Sequence, residues 1–287
     1  MKFLQTPDGM KRKVLKIADE LGDVAVYCES CYGACDLAVN EAKSVGCDKI
    51  IHYGHSKMVE CDLPVEYVEM REDYDPTKVL KKDIGKIKEN RIGLVSTLQF
   101  VDSLVTAKRF LENNGKAAVL GKGKYNPGQI LGCDISSAKH VDKDVDAFLF
   151  IGTGRFHPLG VAMHTEKPVY VLDVEREEIS DLNEFKQKFL RQRYAAIAIA
   201  KDAKRIGILV STKPGQMNMI LANKMKERLE SNDRKAYILV FNEIRPEKLE
   251  GLDLDAYINT ACPRIAIEDR TNFKRPILNP DETESFI

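Results

Sequence analysis

Arg91-Ile92-Gly93-Leu94-Val95-Ser96-Thr97 returns further along the chain, almost unchanged, as Arg205-Ile206-Gly207-Ile208-Leu209-Val210-Ser211-Thr212. Each copy is a short aliphatic run rich in β-branched residues, the pattern of a strand buried on both faces of a parallel sheet. A helical pattern follows each. After the first come Val101, Leu104, Val105 and Leu111; after the second come Met217, Ile220, Leu221, Met225 and Leu229. Both sets fall on one apolar helix face. Asn113-Asn114-Gly115 closes the first helix and Ser231-Asn232-Asp233 the second.

The N-terminus reads as a third, weaker copy. Lys2-Phe3-Leu4-Gln5-Thr6 is a strand, Pro7-Asp8-Gly9 a turn, and Val14, Ile17, Ala18 and Leu21 take the i, i+3, i+4, i+7 positions of a helix. The second strands are predicted at 23–28, 116–120 and 235–241, the third at 49–53, 146–152 and 255–260, and fourth strands at 65–70 and 169–172. Strands alternating with helices at this spacing imply parallel sheets with helical crossovers. The expected fold is α/β: three related domains, each a small parallel sheet flanked by helices, around a pseudo-threefold centre. Their expected bounds are 1–88, 89–200 and 201–287. Linker helices are expected at 76–88 and 181–193, the second with Asp181 and Glu184 in capping-box spacing. A single doubly wound sheet with chance similarity is the alternative, and the near-identical strand pair speaks against it.

The chain has 287 residues, ample for a core, and 44% of them are hydrophobic. Its 44 Lys+Arg balance 44 Asp+Glu. A neutral chain has no electrostatic footprint for nucleic acid or an anionic membrane. The longest apolar run, residues 194–200, is far short of a membrane span, and no secretory signal is visible at the N-terminus. The expectation is a cytoplasmic protein with neither nucleic-acid nor membrane partner. Seven cysteines, an odd number without a signal peptide, point to a reducing compartment, where clustered thiols serve as metal ligands or reactive groups.

In open parallel sheets ligands sit beyond the carboxyl ends of the strands. By that rule Cys28, Cys31, Cys35, Cys133 and Cys262 lie on the functional side, while Cys47 and Cys61 precede strands. Gly33-Ala34-Cys35-Asp36 and Leu131-Gly132-Cys133-Asp134 place Cys before Asp in equivalent loops. Asp36 is expected to cap a helix carrying Leu37, Val39 and Ala42, whose N-terminus would favour a Cys35 thiolate. Two metal readings compete: the local run Cys28-x2-Cys31-x3-Cys35, and one cysteine per domain, Cys35, Cys133 and Cys262. Three ligands on a four-iron cluster leave one iron open for substrate.

Leu4-Gln5-Thr6-Pro7-Asp8-Gly9, Tyr32-Gly33-Ala34-Cys35-Asp36, Leu131-Gly132-Cys133-Asp134 and Asn259-Thr260-Ala261-Cys262-Pro263-Arg264 resemble the archaeal diphthamide-biosynthesis family, the 2-(3-amino-3-carboxypropyl)histidine synthases. Gly152-Thr153-Gly154-Arg155-Phe156-His157-Pro158-Leu159-Gly160 and Arg275-Pro276-Ile277-Leu278-Asn279-Pro280 fit as well, so the resemblance runs along essentially the whole chain. The chain begins closer to its first strand than the family does, and family features before that strand are expected to be absent. The resemblance implies a homodimer of three-domain subunits in which Cys35, Cys133 and Cys262 hold a 4Fe–4S cluster, with Cys28 and Cys31 outside the ligand set. It implies a noncanonical radical-SAM transferase. The aminocarboxypropyl group of S-adenosylmethionine moves to a ring carbon of one histidine of translation elongation factor 2, and methylthioadenosine is released. The electron donor is not indicated.

Within that frame the strand-end loop Gly152-Thr153-Gly154 offers close backbone approach and N–H donors to S-adenosylmethionine, with Arg155 and His157 beside it. Gln216, in the matching loop of the third copy, is a further candidate for its amino-acid end. His52 and His55 sit at another strand end and are candidates for removing a proton from the modified imidazole. The alternatives are a quinolinate-synthase-like iron–sulfur enzyme and a zinc-stabilised, non-enzymatic scaffold built on Cys28, Cys31 and Cys35.

Overall fold

In a computed structural model of the chain, residues 1–284 and Phe286 are described. The chain divides into two compact units, Met1–Glu69 with Arg193–Ile287, and Met70–Gln192. The first unit holds two four-stranded sheets and the second a five-stranded one.

Sheet one contains β1 (Lys2–Gln5), β2 (Val24–Val26), β3 (Lys49–Tyr53) and β4 (Val65–Val68), with α1 (Val14–Leu21) and α2 (Val39–Ser44) between strands. The middle unit opens with α3 (Thr77–Asp83). It continues through β5 (Arg91–Ser96), α4 (Ser103–Asn113), β6 (Ala117–Leu120), α5 (Ser136–Val141), β7 (Ala147–Gly152), α6 (Phe156–His164), β8 (Val169–Asp173) and β9 (Glu178–Asp181). Helix α7 (Asn183–Lys201) leads to the last sheet: β10 (Arg205–Ser211), α8 (Met219–Glu230), β11 (Lys235–Phe241), β12 (Ala256–Asn259), α9 (Arg264–Ile267) and β13 (Ile277–Leu278).

All three sheets share one order: second strand, first, third, fourth. Every pairing is parallel except β8 with β9. The repeated strand explains itself through its glycine. Gly93 lies opposite Phe148 and Gly207 opposite Tyr257. A Cβ on Gly93 would come within 2.7 Å of the Phe148 ring, and one on Gly207 within 3.0 Å of Tyr257. An aromatic on the third strand fills the room left by the first-strand glycine in both copies. The copies also start alike. Asp48, Asp146 and Asp255, each just before a third strand, donate their N–H to the carbonyl of Met1, Arg91 and Arg205. The Asp146 carboxylate accepts the Arg91 N–H at 3.2 Å, and that of Asp255 accepts the N–H groups of Arg205 and Lys204 at 2.8 and 2.9 Å.

The middle core packs Leu94, Leu104, Leu111, Leu149 and Ile151 together, while Phe148 and Phe150 are wholly buried. Sheet one buries Phe3, Leu37, Val39 and Ile50; sheet three buries Ile206, Ile208, Val210, Met225 and Leu229. The structure adds two strands the sequence reading lacks, β9 and β13. The linker helix expected at 76–88 is the shorter α3 followed by a 3₁₀ turn, Ile84–Lys86. The second linker starts later and runs longer: Asp181 belongs to β9, and its carboxylate accepts the Asn183 N–H at 2.7 Å. No helix among the described residues is long and apolar enough to cross a membrane.

Candidate functional site

The loop after β2 carries Cys28 exposed, Cys31 buried and Cys35 half-buried. Gln5, at the end of β1, holds this loop: its Nε2 donates to the Asp36 carbonyl at 2.6 Å, and its Oε1 accepts the Ala38 N–H at 3.3 Å. The loop after β10 grips it from the other side. Gly215 N–H donates to the Cys35 carbonyl at 2.8 Å, Lys213 Nζ reaches the Asp36 carboxylate at 2.5 Å, and Gln216 Nε2 donates to Cys35 Sγ at 3.5 Å. The approach is close because residue 215 is glycine, whose added Cβ would lie 2.6 Å from Cys35 Cα. Asp36 is therefore not the expected helix cap. Helix α2 begins at Val39 with Ala38 before it, and the Asp36 carboxylate is engaged by Lys213 and the Tyr32 N–H. The helix expected to favour a Cys35 thiolate starts four residues further on; burial pushes this thiol up, opposed by the Gln216 hydrogen bond. Burial likewise pushes the Asp36 carboxyl up, with the Lys213 ammonium pulling it back.

Cys262 follows β12 in the same unit. Asn259 Nδ2 donates to the Cys262 carbonyl at 2.9 Å and to Asn279 Oδ1 at 3.0 Å, and the Cys262 carbonyl accepts the Ile265 N–H that opens α9. A cavity of about 60 Å³ has Cys262, Gln216, Lys213, Tyr32 and Arg264 in its wall. Gln216 donates to Cys35 and lines the cavity that Cys262 also lines. A larger polar cavity of about 630 Å³ lies beside the same loops, with Asp36 and Lys213 in its wall. Lys213 and the Asp36 carboxylate were not singled out by the sequence reading as a pair. Lys213 follows a strand end, which is a positional signal, but a partner 177 residues away leaves none.

In the middle unit Cys133 is exposed, on a loop between β6 and α5. This is the place Cys35 occupies between β2 and α2. Asp134 Oδ1 accepts the Ser136 N–H at 2.8 Å, and Leu131 and Asp134 pair through their backbones. A Cβ on Gly132 would strike the Phe156 ring at 1.9 Å, so the Cys133 loop lies against the start of α6. Gly152, Thr153, Gly154 and Arg155 form the turn into that helix, with Gly154 at φ +73°. Thr153 to Arg155 are half-buried or exposed. Arg155 lies 5.1 Å over the Phe185 ring, and the His157 ring stacks on Phe150. The middle unit thus places the glycine turn beside its cysteine loop.

His52, next to last in β3, lies opposite Gln5 and is wholly buried. Its Nδ1 lies 3.2 Å from Gln5 Oε1, and its Nε2 lies 3.0 Å from His55 Nδ1. Burial, then the neighbouring His55, lowers His52 to about 3; burial lowers His55 to about 4, against a hydrogen bond to the Tyr53 backbone. Both are neutral at pH 7. The Cys28–Cys31–Cys35 run does not close on one point. Among the described residues Cys31 groups instead with His52 and His55.

The chain matches the family model described as "Putative diphthamide synthesis protein" over residues 6–287. It is 38% identical to the 2-(3-amino-3-carboxypropyl)histidine synthase of Pyrococcus horikoshii, covering 99% of this chain and 85% of that protein. It is 30% identical to the enzyme of the same name from Methanocaldococcus jannaschii, covering 99% and 84%. The crystal structure of Dph2 from Pyrococcus horikoshii with a 4Fe–4S cluster superposes with a TM-score of 0.92 at 37% identity, covering 99% of this chain and 85% of that one.

Proposed function

This chain belongs to the family of diphthamide-synthesis proteins, and from that membership we propose that it transfers the 3-amino-3-carboxypropyl group of S-adenosylmethionine to a histidine ring carbon of translation elongation factor 2. It is a transferase, which removes the non-enzymatic scaffold, and its family separates it from quinolinate synthase. The observation that carries the reading is the repeated placement of a cysteine. Cys35, Cys133 and Cys262 each lie on a loop at the carboxyl end of a different sheet, where parallel sheets bind ligands.

The donor set fits a 4Fe–4S cluster: three thiols outside disulfides, one of them, Cys35 Sγ, accepting a hydrogen bond from Gln216, which supports a sulfur ligand in its place. When bound and reduced, the cluster supplies the electron for breaking the sulfur-to-aminocarboxypropyl bond and an open iron for its substrate. The chain's own residues bind and orient. The turn Gly152-Thr153-Gly154, open beside the Cys133 loop, offers N–H donors to S-adenosylmethionine, and Arg155 a charge for its carboxylate. Gln216 stands between Cys35 and the Cys262 cavity and is assigned to the cofactor side as well. The His52–His55 pair is neutral, and burial makes both imidazoles weak bases, so the pair suits a binding role better than taking the imidazole proton. We place the enzyme in the cytoplasm as a homodimer.

The test is anaerobic reconstitution with iron and sulfide, reduction, and incubation with S-adenosylmethionine and elongation factor 2. Methylthioadenosine and a heavier elongation factor are the expected products. Release of 5′-deoxyadenosine in their place would overturn the reading.

A further inference from the structure

We propose that Cys31, His52 and His55 form a second metal site, distinct from the three cluster cysteines, for a single divalent ion of the zinc class. The inference does not depend on the proposed transfer reaction. One donor atom from each residue lies within 4.8 Å of the other two, and the two imidazole nitrogens are 3.0 Å apart. A tetrahedral ion with nitrogen at about 2.0–2.1 Å and sulfur at about 2.3 Å sets its donors roughly 3.3–3.6 Å apart, so small side-chain shifts seat it. Two imidazoles and one thiolate suit a borderline-soft ion such as Zn²⁺, with the fourth position left for water.

The location is what a parallel sheet provides. β1 and β3 are neighbours in sheet one, but β1 runs on toward β2 and β3 toward β4, so a crevice opens beyond their carboxyl ends. His52 sits at that end in register with Gln5, the loop after β2 brings Cys31, and the loop after β3 brings His55.

The outer shell is already built. Gln5 Nε2 is committed to the Asp36 carbonyl and Gln5 Oε1 to the Ala38 N–H. Flipping the amide would set a donor against the Ala38 N–H, so the oxygen faces His52. His52 then carries its proton on Nδ1 and turns the Nε2 lone pair to His55 Nδ1, 3.0 Å away, with Cys31 in the same group. A ligand histidine donating its other N–H to an oxygen is the usual support for a bound metal. Cys31 is 4% exposed and His52 is wholly buried, while His55 is half-buried and so the most solvent-accessible of the three. Binding replaces the Cys31 S–H bond by a sulfur–metal bond, and the proton leaves to solvent. The ion would brace the loop leading to Cys35 against β1 and β3.

The test uses full-length protein carrying its reconstituted cluster, exposed to ZnCl₂ and dialysed against a weak chelator. Metal analysis should give one zinc per chain beyond the iron. Cys31→Ser and His55→Gln should each lose the zinc while iron and visible absorption stay. Gln5→Leu should weaken zinc binding about 10–100-fold. Cobalt in place of zinc should give a thiolate-to-metal charge-transfer band in wild type that Cys31→Ser abolishes. If one variant fails to fold, judged by its circular dichroism against metal-free wild type, the other decides. Sub-stoichiometric zinc in wild type overturns the proposal, as does zinc that survives in the folded variants or that leaves with Cys35→Ala alone.

Discussion

Replacing Lys213 by methionine keeps most of the side-chain volume and removes the charge. Lys213 and Asp36 side chains are each 9% exposed, with Nζ 2.5 Å from Oδ2. Without the ammonium, the Asp36 carboxylate retains one donor, the Tyr32 N–H at 3.3 Å. An uncompensated buried charge of this kind costs about 3–5 kcal/mol. The cation also lies 5.0 Å from the Tyr32 ring, a smaller loss in the same direction. For a unit of this size a destabilisation of that order lowers the melting temperature by roughly 6–20 °C. Asp36→Asn with Lys213→Met removes both charges, and its stability should return to within about 1–2 kcal/mol of wild type. Thermal unfolding of the two single variants and the double variant closes the cycle. Because Gly215 and Gln216 hang from the same loop as Lys213 and reach Cys35, iron loss to a chelator should quicken in Lys213→Met and recover in the double variant. A single variant melting within about 1 °C of wild type, or a double variant as unstable as the two singles added, would refute the argument.

Cys35→Ala, Cys133→Ala and Cys262→Ala should each bleach the visible absorption of reconstituted protein, while Cys47→Ala, whose thiol is packed in the sheet-one core, should keep its iron; equal bleaching in Cys47→Ala would count against the ligand set. Gly215→Ala should lower iron retention with no ligand removed, because its Cβ would sit 2.6 Å from Cys35 Cα; normal iron content and lifetime in that variant would show the loop can yield. Backbone N–H donors hold the Asp255 carboxyl below its usual range. Its support is therefore present at neutral pH and is lost as pH falls through the depressed folded value. Asp255→Asn should lower the melting temperature at pH 7 by more than at pH 3, and an equal loss at both would remove the carboxylate from the account.

The paired strands at 91–97 and 205–212 were legible because burial on both faces leaves no alternation to obscure them. The strand-end rule then put Cys35, Cys133 and Cys262 on loops that follow strands, where the structure has them. β9 was not legible: Glu178-Ile179-Ser180-Asp181 is short and polar, and its identity comes from backbone pairing with β8. β13 is two residues long. Asp36 had the composition of a helix cap, and a lysine remote in sequence claimed its carboxylate instead. Spacing alone cannot report such pairings, since they depend on which loops the topology brings together. His52 and His55 were read as a pair, but Cys31 was read with the other cysteines, because only the sheet order sets it beside β3.

The three copies differ at one end more than at the other. At the amino ends of the strands each uses an aspartate before its third strand, tied to the residue at or just before its first strand. Those bonds fix the relation of two strands, a requirement every copy has in common. Near the carboxyl ends of the first and third strands the residues differ: Gln5 and His52 in one sheet, Ser96 and Gly152 in another, and Ser211 with the Asn259 turn to Cys262 in the third. A duplicated scaffold must keep what holds the sheet and is free to vary what faces the ligand. The first end therefore offers a nitrogen–sulfur donor set, the second an open glycine turn beside an exposed thiol, and the third a lysine, a glutamine and a thiol around a small cavity. If the first end binds a single ion and the second S-adenosylmethionine, while each end lends one thiol to the cluster, the ion site should vary independently of the rest. Assayed in parallel for zinc, S-adenosylmethionine and iron, Cys31→Ser should move zinc alone, Gly154→Val S-adenosylmethionine alone, and Gln216→Leu iron and S-adenosylmethionine together. A Cys31→Ser variant that loses all three would mean the ends act as one site.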